Sequence, residues 1–468
     1  MALGICTVFG QEQPNIACRF LDVVIPGSGS EDESKLITRL LREFKAPVAD
    51  SIIAYRGNQR WTRIFEALPL EAPASADLHI REKGIYLLIG GLGGIGYTLA
   101  QHLAESANAR LIIVQRTEFP AGSEWENWLA THNDDDPISS RLRKIKDLES
   151  MGAEVTVYNA NVADEARMRE VVTRVYEQYS ALNGVVYAAG STDQDRFMTL
   201  VEDLTVADCE NHFQSKVQGV RVLEQVLQDR ELDFCVLCSS LATVLGGLGF
   251  AAYSAANTFT DTVAQRRRSR HQSNWITVNW DAWQFDSDTE TRAFAGTALA
   301  KLAITPAEGV QVFERLLSVA AEPQVIVSTG NLNARIKQHL AAPASDAEAT
   351  KGSETLSFYP RPELDSAYVA PRNETEQLIA TIWRELLGLD RVGVDDNFFA
   401  LGGHSLLATR VNTRLREAFQ VDLPLPRFFQ SPTLGELADA VLEQLIERQD
   451  GDEIERLLED VKQISAHN

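Results

Sequence analysis

The stretch "GIYLLIGGLGGIGYTLAQHLAES", Gly84–Ser106, constrains the fold more than any other part of the chain. Its apolar run reads as a strand buried on both faces, its glycines as a tight turn, and its continuation as a helix. A strand covered on both faces needs helices above and below its sheet, so this one segment already selects an α/β architecture. The same alternation continues through "RLIIVQR", "EVTVYNANVAD", "GVVYAAGS", "DFCVLCSS", "WITVNWDAW" and "PQVIVSTG". The expectation is a doubly wound parallel sheet of the Rossmann type. Residues 119–150 form an insertion between the second and third of these strands, with a helix carrying Ile138, Leu142 and Ile145. Asp134–Asp136 read as a solvated loop entering that helix, and no metal site is expected.

A glycine turn between a buried strand and a helix lets the backbone approach a pyrophosphate, which then sits at the positive helix N-terminus. The cradle runs through Gly90, Gly91, Leu92, Gly93, Gly94, Ile95 and Gly96, and Gly90, Gly94 and Gly96 fit the GxxxGxG spacing of short-chain reductases. The following strand ends at Arg116. An acidic residue there would bind a ribose diol, whereas arginine accommodates a 2′-phosphate, so NADPH is favoured over NADH. The plain alternative is an exposed arginine at a strand end.

Hydride delivered to a carbonyl carbon leaves an alkoxide that must receive a proton. A tyrosine phenol can supply it when a nearby cation lowers its pKa, and a serine hydroxyl can hydrogen-bond the carbonyl oxygen. Ser240 ends a strand, Tyr253 opens a helix in "GFAAYSAANTFTDTV", and Asn257 lies one turn beyond it on the same face. The position four after the tyrosine, where short-chain reductases carry lysine, is therefore asparagine. A lysine is available in "HFQSKVQGVRVL" as Lys216.

That exchange, with "LIGGLGGIG", "VVYAAGS", "VLCSSLATVLGGLGFAAYSAAN" and "VNWDAW" in order, resembles the ketoreductase domain of modular polyketide synthases over most of residues 1–335. The resemblance implies Tyr253, Ser240, Lys216 and Asn257 as the catalytic set. It adds Asn161, Val162, Ala188, Ala189 and Gly190 to the cofactor site. Where the family usually has threonine and aspartate, this chain has Ile89 and Asn161, which should weaken cofactor binding modestly. In "GSTDQ", Gly190–Gln194, only Asp193 fits the family's leucine-aspartate-aspartate stereochemical marker, and Leu245 stands at the tryptophan marker of the opposite type. The handedness of the alcohol is therefore not legible. "FGQEQPNIACRFLDV" and "SIIAYRGNQRWTRI" look like the last portion of the family's truncated structural subdomain, which makes Met1 an excised boundary. Within residues 1–75, "GICTVFG" and "IACRFLDVVI" read as strands, "ESKLITRLLREF" as a helix with Leu36, Leu40 and Phe44 inward, and the rest as two extended runs about Gly57-Asn58.

Beyond the catalytic domain, 76–335, a proline- and alanine-rich linker is expected over 336–370. Three helices then make a small bundle over 371–448, followed by a tail, 449–468. Their stripes are Leu378, Ile382 and Leu386, then Leu407, Val411 and Leu415, then Leu437, Val441 and Leu445, with capping pairs Asn373–Glu376 and Thr433–Glu436. "DDNFFALGGHSLLATRV" resembles the attachment motif of acyl and peptidyl carrier domains. Gly402 and Gly403 would turn the chain, and Ser405 would carry 4′-phosphopantetheine. "GGHSL" is closer to peptidyl carriers and suggests a hybrid polyketide–nonribosomal peptide line.

A net charge of −22 argues against nucleic acid as a partner. The basic run Arg266–His271 reads as cations facing a helix C-terminus, or as a docking patch for an acidic partner. Five scattered cysteines suit a reducing cytoplasm, and Cys235 and Cys238 would point to opposite faces of one strand. No apolar run spans a bilayer and no signal peptide opens the chain, so no membrane partner is expected. The favoured activity is NADPH-dependent reduction of a carrier-tethered β-ketoacyl thioester. Its partners would be a phosphopantetheinyl transferase, an upstream ketosynthase and acyltransferase, and downstream synthase domains. The alternatives are an α-ketoacyl reductase of a depsipeptide synthetase and an inactive fold that spaces a carrier.

Overall fold

A computed structural model describes residues 1–13, 16, 18–46, 50–71, 79–133, 136–190, 198–269, 274–285, 302–318, 322–340, 360–362, 364, 367–401, 405–421, 423 and 433–445. The chain divides into two compact units, Met1–Phe285 with Leu302–Ala342, and Asp286–Lys301 with Pro343–Asn468. Asp134, Asp135, Asp193, Arg270, His271, Gly402, Gly403 and the expected tail lie outside the described residues.

The first unit opens with a correction. "GICTVFG" is helical, within α1 (Ala2–Glu12). Its β-branched and aromatic residues favour a strand locally, but Gly4, Val8, Gln11 and Glu12 share one helical face. Val8 is fully buried. Tertiary packing decides the outcome. A small sheet follows, in which β1 (Phe20–Val23) pairs in parallel with β2 (Ile52–Arg56), and β2 turns at Gly57-Asn58 into antiparallel β3 (Gln59–Thr62). Between β1 and β2 runs α2 (Glu31–Lys45), capped by Ser30. Phe44 faces outward, 82% exposed, against the expectation. The neighbouring Glu43 turns inward instead, because its carboxylate accepts from Arg60 at 2.7 Å, Tyr55 at 2.7 Å and Arg19 at 2.9 Å. Arg60 foremost holds that carboxyl below its ordinary pKa.

The main sheet contains β4 (Ile85–Ile89), β5 (Arg110–Gln115), β6 (Glu154–Asn159), β7 (Gly184–Tyr187), β8 (Phe234–Ser240), β9 (Trp275–Trp280) and β10 (Gln324–Ile326). All pairings are parallel, and the order is β10-β9-β8-β7-β4-β5-β6. The chain winds outward from β4 to β6, then returns to β7 on the other side of β4. This reversal opens a crevice at the carboxyl ends of β4 and β7, where ligands of such sheets bind. Successive residues of the central strands serve two cores. Val185 and Cys235 pack on one face, Val186 and Cys238 on the other. The cysteine pair thus straddles the sheet as its spacing implied.

The crossover helices are α3 (Gly94–Ala107), α4 (Trp125–Thr131), α5 (Pro137–Ser150), α6 (Glu165–Tyr179), α7 (Val206–Phe213), α8 (Val220–Val226), α9 (Ala242–Leu245) and α10 (Ala251–Ser269). Helix α5 is the expected helix of the insertion, capped by Asp136, with Leu142 and Ile145 buried and Ile138 half-buried. A π-type turn, Gln214–Gly219, joins α7 to α8. Of the basic run, Arg266 pairs with Glu224 and Arg267 stacks 4.3 Å from the Trp275 ring. The sheet unit closes with helices Pro306–Ser318 and Leu332–Leu340; the second crosses the boundary drawn at residue 336.

In the second unit, Asn373 caps helix Glu374–Leu387 by accepting from the Glu376 amide at 2.8 Å. Residues 434–445 are helical, and Thr433 and Glu436 form the expected reciprocal cap. The stripe on the first helix differs from expectation. Leu378 is exposed, whereas Ile379, Ile382 and Trp383 are buried. Burial follows the Trp383 ring, which packs 4.9 Å from Phe398. Arg361, within the segment read as linker, makes a bidentate ion pair with Asp396, and the two side chains are 9% and 0% exposed.

Candidate active site and carrier attachment site

Every residue singled out for cofactor or catalysis lies at the carboxyl edge of the main sheet or on the elements that cover it. Gly90 follows β4 with φ +81°, a conformation that suits glycine. A side chain at Gly90 would meet the Ala188–Ala189 backbone at 2.8–2.9 Å, so the turn is packed against the segment leaving β7. A side chain at Gly96 would lie 2.3 Å from the Gly90 carbonyl oxygen. Gly93, the N-cap of α3, brings no capping side chain and is exposed. The first amides of α3 therefore have no side-chain cap to occupy them, the chemistry a pyrophosphate needs. The residues fit a dinucleotide. Phe285, which sequence reasoning passed over, lies against Gly94, where a side chain would come within 2.5 Å of its ring.

Arg116 is exposed directly after β5, and its carbonyl accepts from Asn159 Nδ2 at 2.8 Å. Helix α5 adds cations at this edge that the sequence reading missed. Arg141 donates to Thr117 Oγ1, and Lys144 donates to the Leu92 carbonyl at 2.9 Å. Asn161, half-buried after β6, accepts from the Ala163 amide at 3.1 Å, and Val162 is buried in the core.

Lys216 occupies the π-type turn and is 7% exposed. That turn is held from both sides. Tyr187 of β7 donates to the Ser215 carbonyl, and Thr260 of α10 donates to the Lys216 carbonyl at 3.2 Å. The Lys216 ammonium donates to the Cys238 carbonyl on β8, two residues before Ser240. Burial pushes its pKa down, partly offset by Cys238 and Asp261. Ser240 is half-buried, and its hydroxyl accepts from the Ala242 amide at 3.2 Å. Tyr253 stands in the first turn of α10, half-buried between the rings of His212 and Phe250, each with its centroid 5.6 Å away. Asn257, fully buried, donates to the Tyr253 carbonyl at 3.0 Å. Among the described residues, nothing donates a hydrogen bond to its Oδ1. The two elements that carry Lys216 and Tyr253 are thus bonded together, and Lys216 is bonded to the strand that ends in Ser240.

Two further features escaped the sequence reading. His212 sits one turn before Lys216, a spacing that marks it as a neighbour of the same face. Asn279 of β9 donates to the Ser240 carbonyl at 3.2 Å, to Thr243 and Asp261 at 2.9 Å, and to Ser239 at 3.1 Å. Burial pushes the Asp261 carboxyl up to about 6.

In the second unit, Ser405 is the first residue of helix Ser405–Phe419, whose buried stripe includes Val411 and Leu415. Upstream of it, the side-chain oxygen of Asn397 accepts from the Phe399 and Ala400 amides at 2.9 and 3.2 Å.

The comparisons agree with this geometry. Residues 84–285 match the KR domain family, and residues 377–441 match the phosphopantetheine attachment site family. Polyketide synthase PksN of Bacillus subtilis is 26% identical over 454 residues, covering 92% of this chain and 8% of the relative. The 6-methylsalicylic acid synthase of Aspergillus terreus is 26% identical over 466 residues, covering 94% of this chain and 24% of the relative. The chain thus spans less than a quarter of these relatives. A ketoreductase domain from the bacillaene assembly line superposes with a TM-score of 0.56 at 25% identity, over 72% of this chain and 75% of that one. A keto acid-selecting nonribosomal peptide synthetase module containing adenylation and ketoreductase parts shares the fold, with a TM-score of 0.57 at 21% identity, over 73% and 27%. Among the described residues no helix is long and apolar enough to cross a membrane. The chain carries a KR domain followed by a phosphopantetheine carrier domain, and the relatives it matches are polyketide synthases.

Proposed function

We propose that the first unit reduces a β-ketoacyl thioester to the β-hydroxyacyl thioester with NADPH, the chain being carried on phosphopantetheine at Ser405. What supports the reading is that the π-type turn of Lys216 is bonded both to β8, which ends in Ser240, and to α10, which carries Tyr253 and Asn257, in a parallel sheet whose order reverses at the strand that runs into the Gly90–Gly96 turn. Gly90, Gly91, Leu92, Gly93, Gly94, Ile95 and Gly96 would hold the pyrophosphate, Arg116 the 2′-phosphate, and Asn161 to Val162 with Ala188 to Gly190 the walls around the ring and ribose. When bound, the dihydronicotinamide supplies the hydride to the keto carbon. Ser240 donates to the keto oxygen, and Tyr253 gives that oxygen its proton. Lys216 lowers the phenol's pKa by its charge, and Asn257 fixes the first turn of the tyrosine helix through the Tyr253 carbonyl.

The tether supplies substrate at about the millimolar scale, so free ketones should bind poorly. The partners proposed are the phosphopantetheinyl transferase that loads Ser405 and the neighbouring synthase domains, in a reducing cytoplasm. Tyr253→Phe should retain NADPH binding and slow reduction of a loaded β-ketoacyl chain by about 10²–10⁴-fold. Turnover close to that of the unaltered protein would overturn the assignment, and faster consumption of NADPH on an α-ketoacyl chain would transfer the reading to α-keto reduction.

A further inference from the structure

The connection between Ser240 and Tyr253 is held from outside by α1. Gln11 donates to the Leu245 carbonyl at 2.6 Å and accepts from the Gly247 amide at 2.8 Å. Glu12 accepts from the Gly249 amide at 2.8 Å with one carboxylate oxygen and from the Val201 amide at 2.6 Å with the other. One carboxylate therefore fastens two chain segments to each other. They also touch directly, since the Thr199 amide donates to the Gly249 carbonyl at 3.0 Å. Helix α1 is seated for this task, because a side chain at Gly4 would come within 2.5 Å of the Ser254 backbone. The helix thus lies against the turn of α10 that carries Tyr253.

The fastened segments are 198–201 and 245–250. The second leads directly into the helix of Tyr253, and its Gly249 packs against Met198 and Thr199 of the first. As walls beside Tyr253 they would set the side from which a ketone enters, and that side decides which of its faces meets the hydride. We propose that Gln11 and Glu12 are positioning residues that lock these two walls together, so that α1 helps fix the handedness of the alcohol. The proposal rests on the reductase reading for its stereochemical part alone; the clamp itself is a claim about backbone order.

The test compares the unaltered full chain with Glu12→Ala, Glu12→Gln and Gln11→Ala. Amide hydrogen exchange over 198–203 and 245–250 should accelerate at least about tenfold in Glu12→Ala, as local opening becomes easier, and less in Glu12→Gln, which keeps one acceptor. With a prochiral β-ketoacyl thioester, the minor alcohol enantiomer should rise several-fold while NADPH affinity stays within about twofold. Should Glu12→Ala fail to fold, the other two variants carry the same comparisons. Unchanged exchange in the folded variants overturns the clamp whatever the enzyme's activity. Faster exchange with an unchanged enantiomer ratio overturns its role in selectivity. An unaltered protein that reduces no ketoacyl thioester overturns the reductase reading and the stereochemical part with it, leaving exchange to decide the clamp.

Discussion

Replacing Gly96 by alanine adds a single methyl group at the tightest point of the glycine turn. Its carbon would stand 2.3 Å from the Gly90 carbonyl oxygen and 3.0 Å from Gly91 Cα. The first distance is about 1 Å short of ordinary contact. Gly90 has nowhere to retreat, because the Ala188–Ala189 backbone lies behind it, its amide donates to the Val114 carbonyl at 3.3 Å, and its own carbonyl accepts from the Gly93 amide at 3.1 Å. The first turn of α3 must therefore move away. Overpacking of this kind costs about 1–3 kcal/mol, and the better helix propensity of alanine returns about 1 kcal/mol. Fold stability should then fall by at most about 2 kcal/mol. Cofactor binding should suffer more, since the amides that face the pyrophosphate move with the turn and a charged hydrogen bond contributes about 1.5–3 kcal/mol. NADPH affinity measured by calorimetry should weaken about 10–100-fold, with melting followed by circular dichroism as the check on folding. Gly122→Ala is the control, because nothing lies within 4 Å of a side chain there. An affinity within twofold of the unaltered protein in a folded Gly96→Ala variant would refute the reasoning.

Lys216→Met, which keeps the stem and removes the charge, should slow ketone reduction at least about tenfold and move the alkaline limb of the pH–rate profile; an unchanged profile would deny it a role at the phenol. Arg116→Ala should weaken NADPH by about 1.5–3 kcal/mol and leave NADH binding unchanged in the same titration, whereas equal losses would show that it does not read the 2′-phosphate. Burial pushes the Asp261 carboxyl up to about 6, above the ordinary carboxylate range. The stability associated with that proton is fully present below the unfolded value and lost as pH rises through about 6. Asp261→Asn should therefore gain stability relative to the unaltered protein between pH 4 and 7, by roughly 1–3 kcal/mol, as read from melting curves against pH. Ser405→Ala should abolish the mass gain produced by a phosphopantetheinyl transferase with coenzyme A; label on another serine would refute the site.

The parts of this molecule legible in its sequence are those whose cause is local. Buried parallel strands announce themselves as apolar runs, and the glycine turn stands between one of them and a helix. Tyr253 and Asn257 share a face because they are one turn apart. Lys216 was found through family likeness, since no spacing links it to a tyrosine on another helix. What stayed hidden depends on pairings across the chain. Nothing near Asn279 shows that it will gather Ser239, Ser240, Thr243 and Asp261, and nothing near Glu12 points to Val201 or Gly249. Helix α1 was misread for the same reason, because its helical face acquires meaning only once α10 is there to receive it. Phe44 and Leu378 were placed inward by periodicity alone, while Glu43 and Trp383 had the partners.

The Arg361–Asp396 pair has a practical consequence for anyone who wishes to separate the carrier from the reductase. A cut placed by composition, near residue 370, removes Arg361 and leaves a fully buried carboxylate stripped of its guanidinium. Removing one member of such a pair costs a few kcal/mol, on the order of 3, a large share of what a small helical bundle has to spare. A carrier beginning at residue 355 keeps the pair, and one beginning at residue 365 does not. Their midpoints in urea should differ accordingly, which makes the true start of the folded carrier a measurable position rather than a matter of alignment.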